Sequence, residues 1–178
     1  PVVLDPVAAG ATALRTRLAR ELTRRYRPTV IRANASEVLA LVGEGGRPKG
    51  VDAGQGVEEA LEAARSLCAD NGCVVQVSGE TDLVVGPEGL ARLFGGHAMM
   101  PRVTGLGCTA SAVTGAFLAV NPEPFQAAVH GAAAMNLAGE SAASRARGPG
   151  SLQLELYDAL FGLDEARVRA GWRVEAAS

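Results

Sequence analysis

Aromatic side chains are scarce in this sequence. Phe, Tyr and Trp make up 4% of its 178 residues, against 48% hydrophobic residues in all, so Ala, Val and Leu must fill the interior. Such small side chains suit close helix–sheet contacts, and the length is enough for one α/β domain with a core of its own. Lysine is almost missing: Lys49 stands alone and the other cationic residues are Arg. A basic side chain that meets phosphate is therefore expected to be an arginine fork and not a lysine point charge. Excess positive charge is missing too, the formal net charge being −2. A nucleic-acid surface, whose footprint is a basic stripe, is not expected. Cys68, Cys73 and Cys108 are an odd count without metal-ligand spacing, which excludes a disulfide framework and fits a reducing cytoplasm. Every long apolar stretch is broken by Gly, Pro or polar residues, so the sequence reads as soluble, with no membrane partner.

What is present is an alternation of short apolar runs and amphipathic stretches. Val2 to Leu4 reads as a strand stopping at Asp5-Pro6, and Pro28 to Ile31 as a second. Between them Leu14, Leu18 and Leu22 recur every four residues among arginines, the pattern of a helix with a leucine stripe inward and a charged face in water. A helix follows from about Ser36 to Val42, then a Gly-rich loop from Gly43 to Gly56. The next helix carries Val57, Ala60, Leu61, Ala64, Leu67 and Cys68 on one face, which places Cys68 in the core. Cys73 to Val77 is a strand, and Asp82–Val85 and Leu90–Phe94 form a hairpin through Gly86-Pro87-Glu88-Gly89. Beyond Gly105 the chain reads as mostly helical, with Pro122 and Pro124 at one helix start and Gly148-Pro149-Gly150 between two long helices. Strand–helix–strand order predicts a mostly parallel sheet covered by helices on both faces. The chain opens directly on a strand, which suggests that a preceding portion belongs to the same domain.

Four strand-end or helix-start clusters carry chemistry. Thr104-Gly105-Leu106-Gly107-Cys108 precedes a helix of small residues. Its glycines allow close backbone approach, and the free N–H groups of the helix start point at an anion. Cys108 would then stand where it could take a proton from a substrate hydroxyl; the other reading is a tight loop with a buried cysteine. Arg32-Ala33-Asn34-Ala35-Ser36-Glu37 follows the second strand. Arg32 could fork onto phosphate and Glu37 orient water around Mg²⁺, or Asn34 and Glu37 could simply form a capping box. Ser78-Gly79-Glu80 ends the third strand and Asp5 the first, each either a turn former or part of a crevice at the carboxyl ends of the strands.

Taken together these motifs resemble the hydroxyethylthiazole kinase family. The resemblance rests on Asp5-Pro6-Val7 with Gly10-Ala11-Thr12, on Arg32 to Glu37, and on Lys49-Gly50-Val51-Asp52. Ser78-Gly79-Glu80 before Asp82, Gly105 to Cys108, and Gly148-Pro149-Gly150-Ser151 complete it, in order from Val3 to about Leu163. It implies a ribokinase-like α/β three-layer sandwich, of which residues 1–178 form the C-terminal major part without the first strands. It also implies ATP and Mg²⁺ as cofactors, a thiazole alcohol as substrate and a homotrimer with active sites between subunits. By motif position Arg32 and Ser78 are similar to ATP contacts, Gly105 to a substrate contact, and Cys108 to the place of the superfamily's catalytic aspartate. Asn34 and Glu37 resemble its magnesium motif, with Asp5 in the metal's outer shell. Three positions depart from the pattern: Ala33 replaces Gly, Ser78 replaces Thr but keeps the hydroxyl, and Leu106 replaces Thr and loses one.

Two other readings stand beside the kinase. One is a non-catalytic truncated product that keeps the fold without a complete pocket. The other is an enzyme using Cys108 as nucleophile, which needs a base within reach; His97 and His130 are the two histidines.

Overall fold

One sheet of six strands orders the chain, in a computed structural model that describes residues 1–43 and 53–177. Lys49-Gly50-Val51-Asp52 lies outside the described residues. The strands lie side by side in sequence order: β1 (Val3–Leu4), β2 (Val30–Asn34), β3 (Val74–Ser78), β4 (Thr81–Gly86), β5 (Gly89–Phe94) and β6 (Val174–Ala177). β1, β2 and β3 run parallel, each joined to the next through helices, α1 (Ala13–Tyr26) and then α2 (Ala35–Val42) with α3 (Ala53–Asn71). From β3 to β6 every pair is antiparallel. The parallel sheet expected from strand–helix order thus fills the first half, and an antiparallel meander completes a mixed sheet.

Alternation along each strand decides the two cores. Ile31, Val75 and Leu83 point to one face and pack with Leu61 and Leu67 of α3. Val30, Val74 and Val84 point to the other, against the alanines of α5 (Pro124–Ala143) and Leu118 of α4 (Leu106–Val120). Ile31, Val30, Val75 and Val84 are fully buried, each contributing roughly 1.5–3 kcal/mol. The scarcity of aromatics is met by backbone proximity. At Gly131 of α5 a Cβ would stand 2.9 Å from Thr114 Cα, so α4 and α5 approach closely because Gly131 has none. Thr114 is itself fully buried and donates its hydroxyl to Gln76 Oε1 at 2.9 Å, which satisfies both. A third cluster joins Met135 and Ala138 of α5 to Leu152 and Leu156 of α6 (Pro149–Phe161). Pro124 and Pro149 stand in the first turns of their helices, as the sequence predicts.

Three expectations need correction. The leucine stripe of α1 faces out: Leu14 and Leu18 are 63% and 50% exposed, whereas Thr16, Ala19 and Thr23 are buried. The four-residue spacing gave the helix but not its inner face, because α1 packs closely on α2, where small residues fit and Thr hydroxyls bond the helix's own carbonyls. The second strand runs from Val30 to Asn34, so Arg32 lies within it, paired with Gln76. Finally, the C-terminus is not helical to its end, since after α7 (Glu165–Ala170) β6 pairs with β5.

Candidate active site

The carboxyl ends of the parallel strands and the start of α4 meet at one end of the sheet, the position where open α/β sheets bind ligands. Asp5 follows β1, while Asn34 and Ser78 face each other in register at the ends of β2 and β3. Ser111 of α4 donates to Asp5 Oδ2 at 2.6 Å, which brings the fourth cluster to the same place. Gly105 is the residue before α4, with φ of 85°, a left-handed conformation in which glycine is unstrained. No side chain caps α4, so the N–H groups of its first turn have no side-chain acceptor and carry the positive end of the helix dipole. Cys108 stands in that turn, exposed.

Arg32 lies beneath the same turn. It is only 9% exposed, and its Nε has no partner. A Cβ on Gly107 would stand 2.9 Å from Arg32 Nη1, so the second glycine of the loop gives room for the guanidinium. A buried guanidinium with an unmatched donor is costly unless a ligand or counter-charge meets it. Strand alternation puts Arg32 on the face of Gln76 and Asp82. Burial pushes the Asp82 carboxyl above the ordinary carboxylate value, opposed by the Gly79 N–H, the Asn136 side chain and the charge of Arg32.

Asn34 and Glu37 form the capping box of α2. Glu37 N donates to Asn34 Oδ1 at 2.9 Å, and Asn34 N to Glu37 Oε2 at 2.9 Å. Glu37 Oε1 also accepts from Ala8 N at 2.9 Å, which ties the turn after β1 to α2. These bonds use about two of a carboxylate's four acceptor positions, and the others remain for water around a cation. No group of three or more His, Cys, Asp or Glu side chains gathers as a complete metal cage among the described residues. Mg²⁺ does not demand one, being commonly held by one or two carboxylates, water and phosphate; Asp5 and Glu37 fit that pattern.

The profile described as the hydroxyethylthiazole kinase family matches residues 1–166. This chain belongs to that family. It is 48% identical over 174 residues to the hydroxyethylthiazole kinase of Nitratidesulfovibrio vulgaris Miyazaki F, across 98% of this chain and 65% of that protein. Over 169 residues it is 54% identical to the one from Granulibacter bethesdensis, across 95% of this chain and 61% of the relative. A solved hydroxyethylthiazole kinase from Pyrococcus horikoshii matches all of this chain and 66% of its own with a TM-score of 0.88, at 36% identity. The chain therefore spans a little under two thirds of these relatives. The ribokinase-like fold extends to Bacillus subtilis pyridoxal kinase, solved as an ADP complex, with a TM-score of 0.60 and 26% identity over 79% of this chain and 55% of that one.

Against the family's motifs, the described residues bring Asp5, Arg32, Asn34, Glu37, Ser78, Gly105 and Cys108 to one end of the sheet. Ser78 Oγ reaches back to Ala33 O at 3.4 Å. The histidines go elsewhere. His130 is held between the rings of Phe117 and Trp172, at 6.0 and 5.5 Å, and His97 Nδ1 accepts from Met99 N at 3.2 Å. Neither hydrogen-bonds Cys108 among the described residues, so a cysteine nucleophile has no base there. Cys68 and Cys73 are buried, and burial pushes the Cys73 thiol up to about 11. Sequence reasoning found Arg32 but missed Ser111 and the pairing of Asp82 with Asn136. The available signal was an Asn in the middle of an alanine-rich helix, where its low propensity calls for a reason.

Proposed function

We propose that this chain supplies the nucleotide-binding and phosphoryl-transfer part of a hydroxyethylthiazole kinase. The reaction transfers the ATP γ-phosphoryl group to the hydroxyl of 4-methyl-5-(2-hydroxyethyl)thiazole in thiamine biosynthesis or salvage. The observation that carries the reading is the buried Arg32, its Nε unmatched, beneath the uncapped first turn of α4. Both are donors to an anion that reaches the carboxyl ends of the strands. Membership of a kinase family supports reading that anion as a nucleotide phosphate.

The roles proposed here are those the family's motif positions imply. Arg32 and Ser78 contact ATP, and Gly105 borders the thiazole alcohol. Amides of the first turn of α4 receive the charge that grows on the transferring group, an effect of preorganised donors. The substrate oxygen bonds to phosphorus as the bond to ADP breaks, and its proton passes to the sulfur of Cys108, which must be a thiolate to accept it. Asp5, Glu37 and Asn34 would hold Mg²⁺, largely through water. The ion would supply positive charge to offset that of the phosphates. We also place residues 1–178 in a single ribokinase-like domain, acting as a cytoplasmic homotrimer with active sites between subunits.

A thiazole-dependent ADP assay on the complete polypeptide tests the reaction, and absence of thiazole-stimulated ADP release would refute it. The 178 residues alone are a separate case. Leu14 and Leu18 are exposed on α1, apolar surface that invites association. We expect residues 1–178 expressed alone to be poorly soluble or inactive, and the family's N-terminal portion to restore a trimeric kinase. Size-exclusion chromatography with the same assay decides it, and a well-behaved active product would overturn the expectation.

A further inference from the structure

We propose that Gly107 is a positioning residue for the nucleotide: the space its missing side chain leaves is the seat of the Arg32 guanidinium beneath α4. This rests on Arg32 being a nucleotide contact. Gly107 is the second residue of α4, and its φ is not in the left-handed region. Alanine could adopt the same backbone, and glycine within a helix is the less stable choice. The helix itself therefore has no need of glycine at this point. What an added Cβ would meet is Arg32, with Nη1 at 2.9 Å and Cζ at 3.9 Å. Gly131 differs, since there the obstacle includes the backbone of the neighbouring helix, Thr114 Cα at 2.9 Å. Gly131 serves helix packing, whereas Gly107 makes room for one functional group.

The two backbones are not free to part and relieve a methyl group placed there. Arg32 lies inside β2, in register with Gln76 of β3. The first turn of α4 is anchored by Ser111, whose hydroxyl reaches Gly107 O at 3.2 Å and Asp5 Oδ2 at 2.6 Å. The guanidinium is the part with rotatable bonds, so it would be the part displaced. Its Nε is buried without a partner, and a fork turned out of line forms weaker bonds to phosphate, because hydrogen bonds weaken steeply with angle. A lysine would not need the same space, since its ammonium carries no branch where Nη1 stands. Glycine at 107 and arginine at 32 therefore form one unit, in which the first residue gives the second its place.

A double-mutant cycle on the complete protein tests this, read by Tm and by calorimetric affinity for a non-hydrolysable ATP analogue. In an Arg32→Ala background Gly107→Ala should raise Tm by about 1–4 °C, the ordinary gain of alanine over glycine in a helix. With Arg32 present that gain should vanish or become a loss. Analogue affinity should fall about tenfold when Gly107→Ala is made beside Arg32, and less than about twofold in the Arg32→Ala background. Equal affinity losses in both backgrounds would mean that the methyl meets phosphate directly, and would overturn the proposal. Unchanged affinity beside Arg32, or the same Tm change in both backgrounds, would overturn it too. Should Gly107→Ala alone not fold, folding restored by Arg32→Ala takes the place of the melting comparison, and failure to restore it counts against the seat. If Arg32→Ala itself leaves analogue affinity intact, the functional reading falls and the positioning with it; if only Gly107→Ala is silent, positioning alone is wrong.

Discussion

Ser111 Oγ lies 2.6 Å from Asp5 Oδ2 across 106 residues of sequence, which fastens the end of β1 to the start of α4. The hydroxyl also reaches Gly107 O at 3.2 Å, so a carboxylate and the first turn of α4 share one anchor. A hydrogen bond to a charged group contributes roughly 1.5–3 kcal/mol. Ser111→Ala should lower stability by about that much, seen as a fall of several degrees in Tm, with Thr restoring most of it. An unchanged melting curve would remove the anchor from the account.

Arg32→Ala should weaken ATP far more than the thiazole alcohol. A charge-assisted fork of roughly 1.5–3 kcal/mol corresponds to about tenfold to a hundredfold in affinity. Arg32→Lys should recover only part, keeping the charge and losing the fork. Calorimetry showing equal ATP affinity in wild type and both variants would return Arg32 to a structural role.

Cys108→Ala should lower the phosphorylation rate strongly and leave ATP affinity almost unchanged. Cys108 is exposed in the first turn of α4, placed for a substrate hydroxyl and not for adenine. Cys108→Asp should retain or raise the rate, because a carboxylate accepts the proton readily. Steady-state kinetics with undiminished turnover in the Ala variant would take Cys108 out of the mechanism.

Asp82 also makes a pH prediction. Burial raises its carboxyl above the ordinary value, so the folded protein holds this proton to higher pH than the unfolded chain. Between the two values the native state binds more protons, and stability falls as pH rises through that window. Above it the penalty is complete. Asp82→Asn cannot ionise, so its Tm relative to wild type should climb as pH leaves the acid range and then level off. A pH-independent difference between the two melting curves would contradict a raised carboxyl.

Much of this was legible in the sequence because it is local. The hairpin from Thr81 to Phe94 follows from alternation around Gly86-Pro87-Glu88-Gly89, and its register pairs Gly86 with Gly89 as that turn requires. Asn34 and Glu37 sit three residues apart, and the capping box they form needs nothing beyond α2. Cys68 shares a helical face with Leu61 and Ala64 and is buried with them. The glycine spacing at Gly105 to Gly107 likewise reports local backbone, and Gly105 takes the left-handed conformation just before α4.

What the tertiary structure alone decided are relations between distant segments. Leu14 and Leu18 look like a core stripe, yet α1 turns Thr16, Ala19 and Thr23 inward, because the inner face depends on which helix it meets and how closely. β6 is four residues near the C-terminus and exists through its pairing with β5, an interaction no local pattern encodes. The sequence by itself determined the elements, the caps and the kinds of residue available for phosphate chemistry, since period, turn chemistry and side-chain type act within a few residues. Packing decided that Arg32 is buried beneath Gly107 at the start of α4 and that Ser111 holds Asp5, because burial and hydrogen-bond partners arise only when the sheet brings remote segments within ångströms.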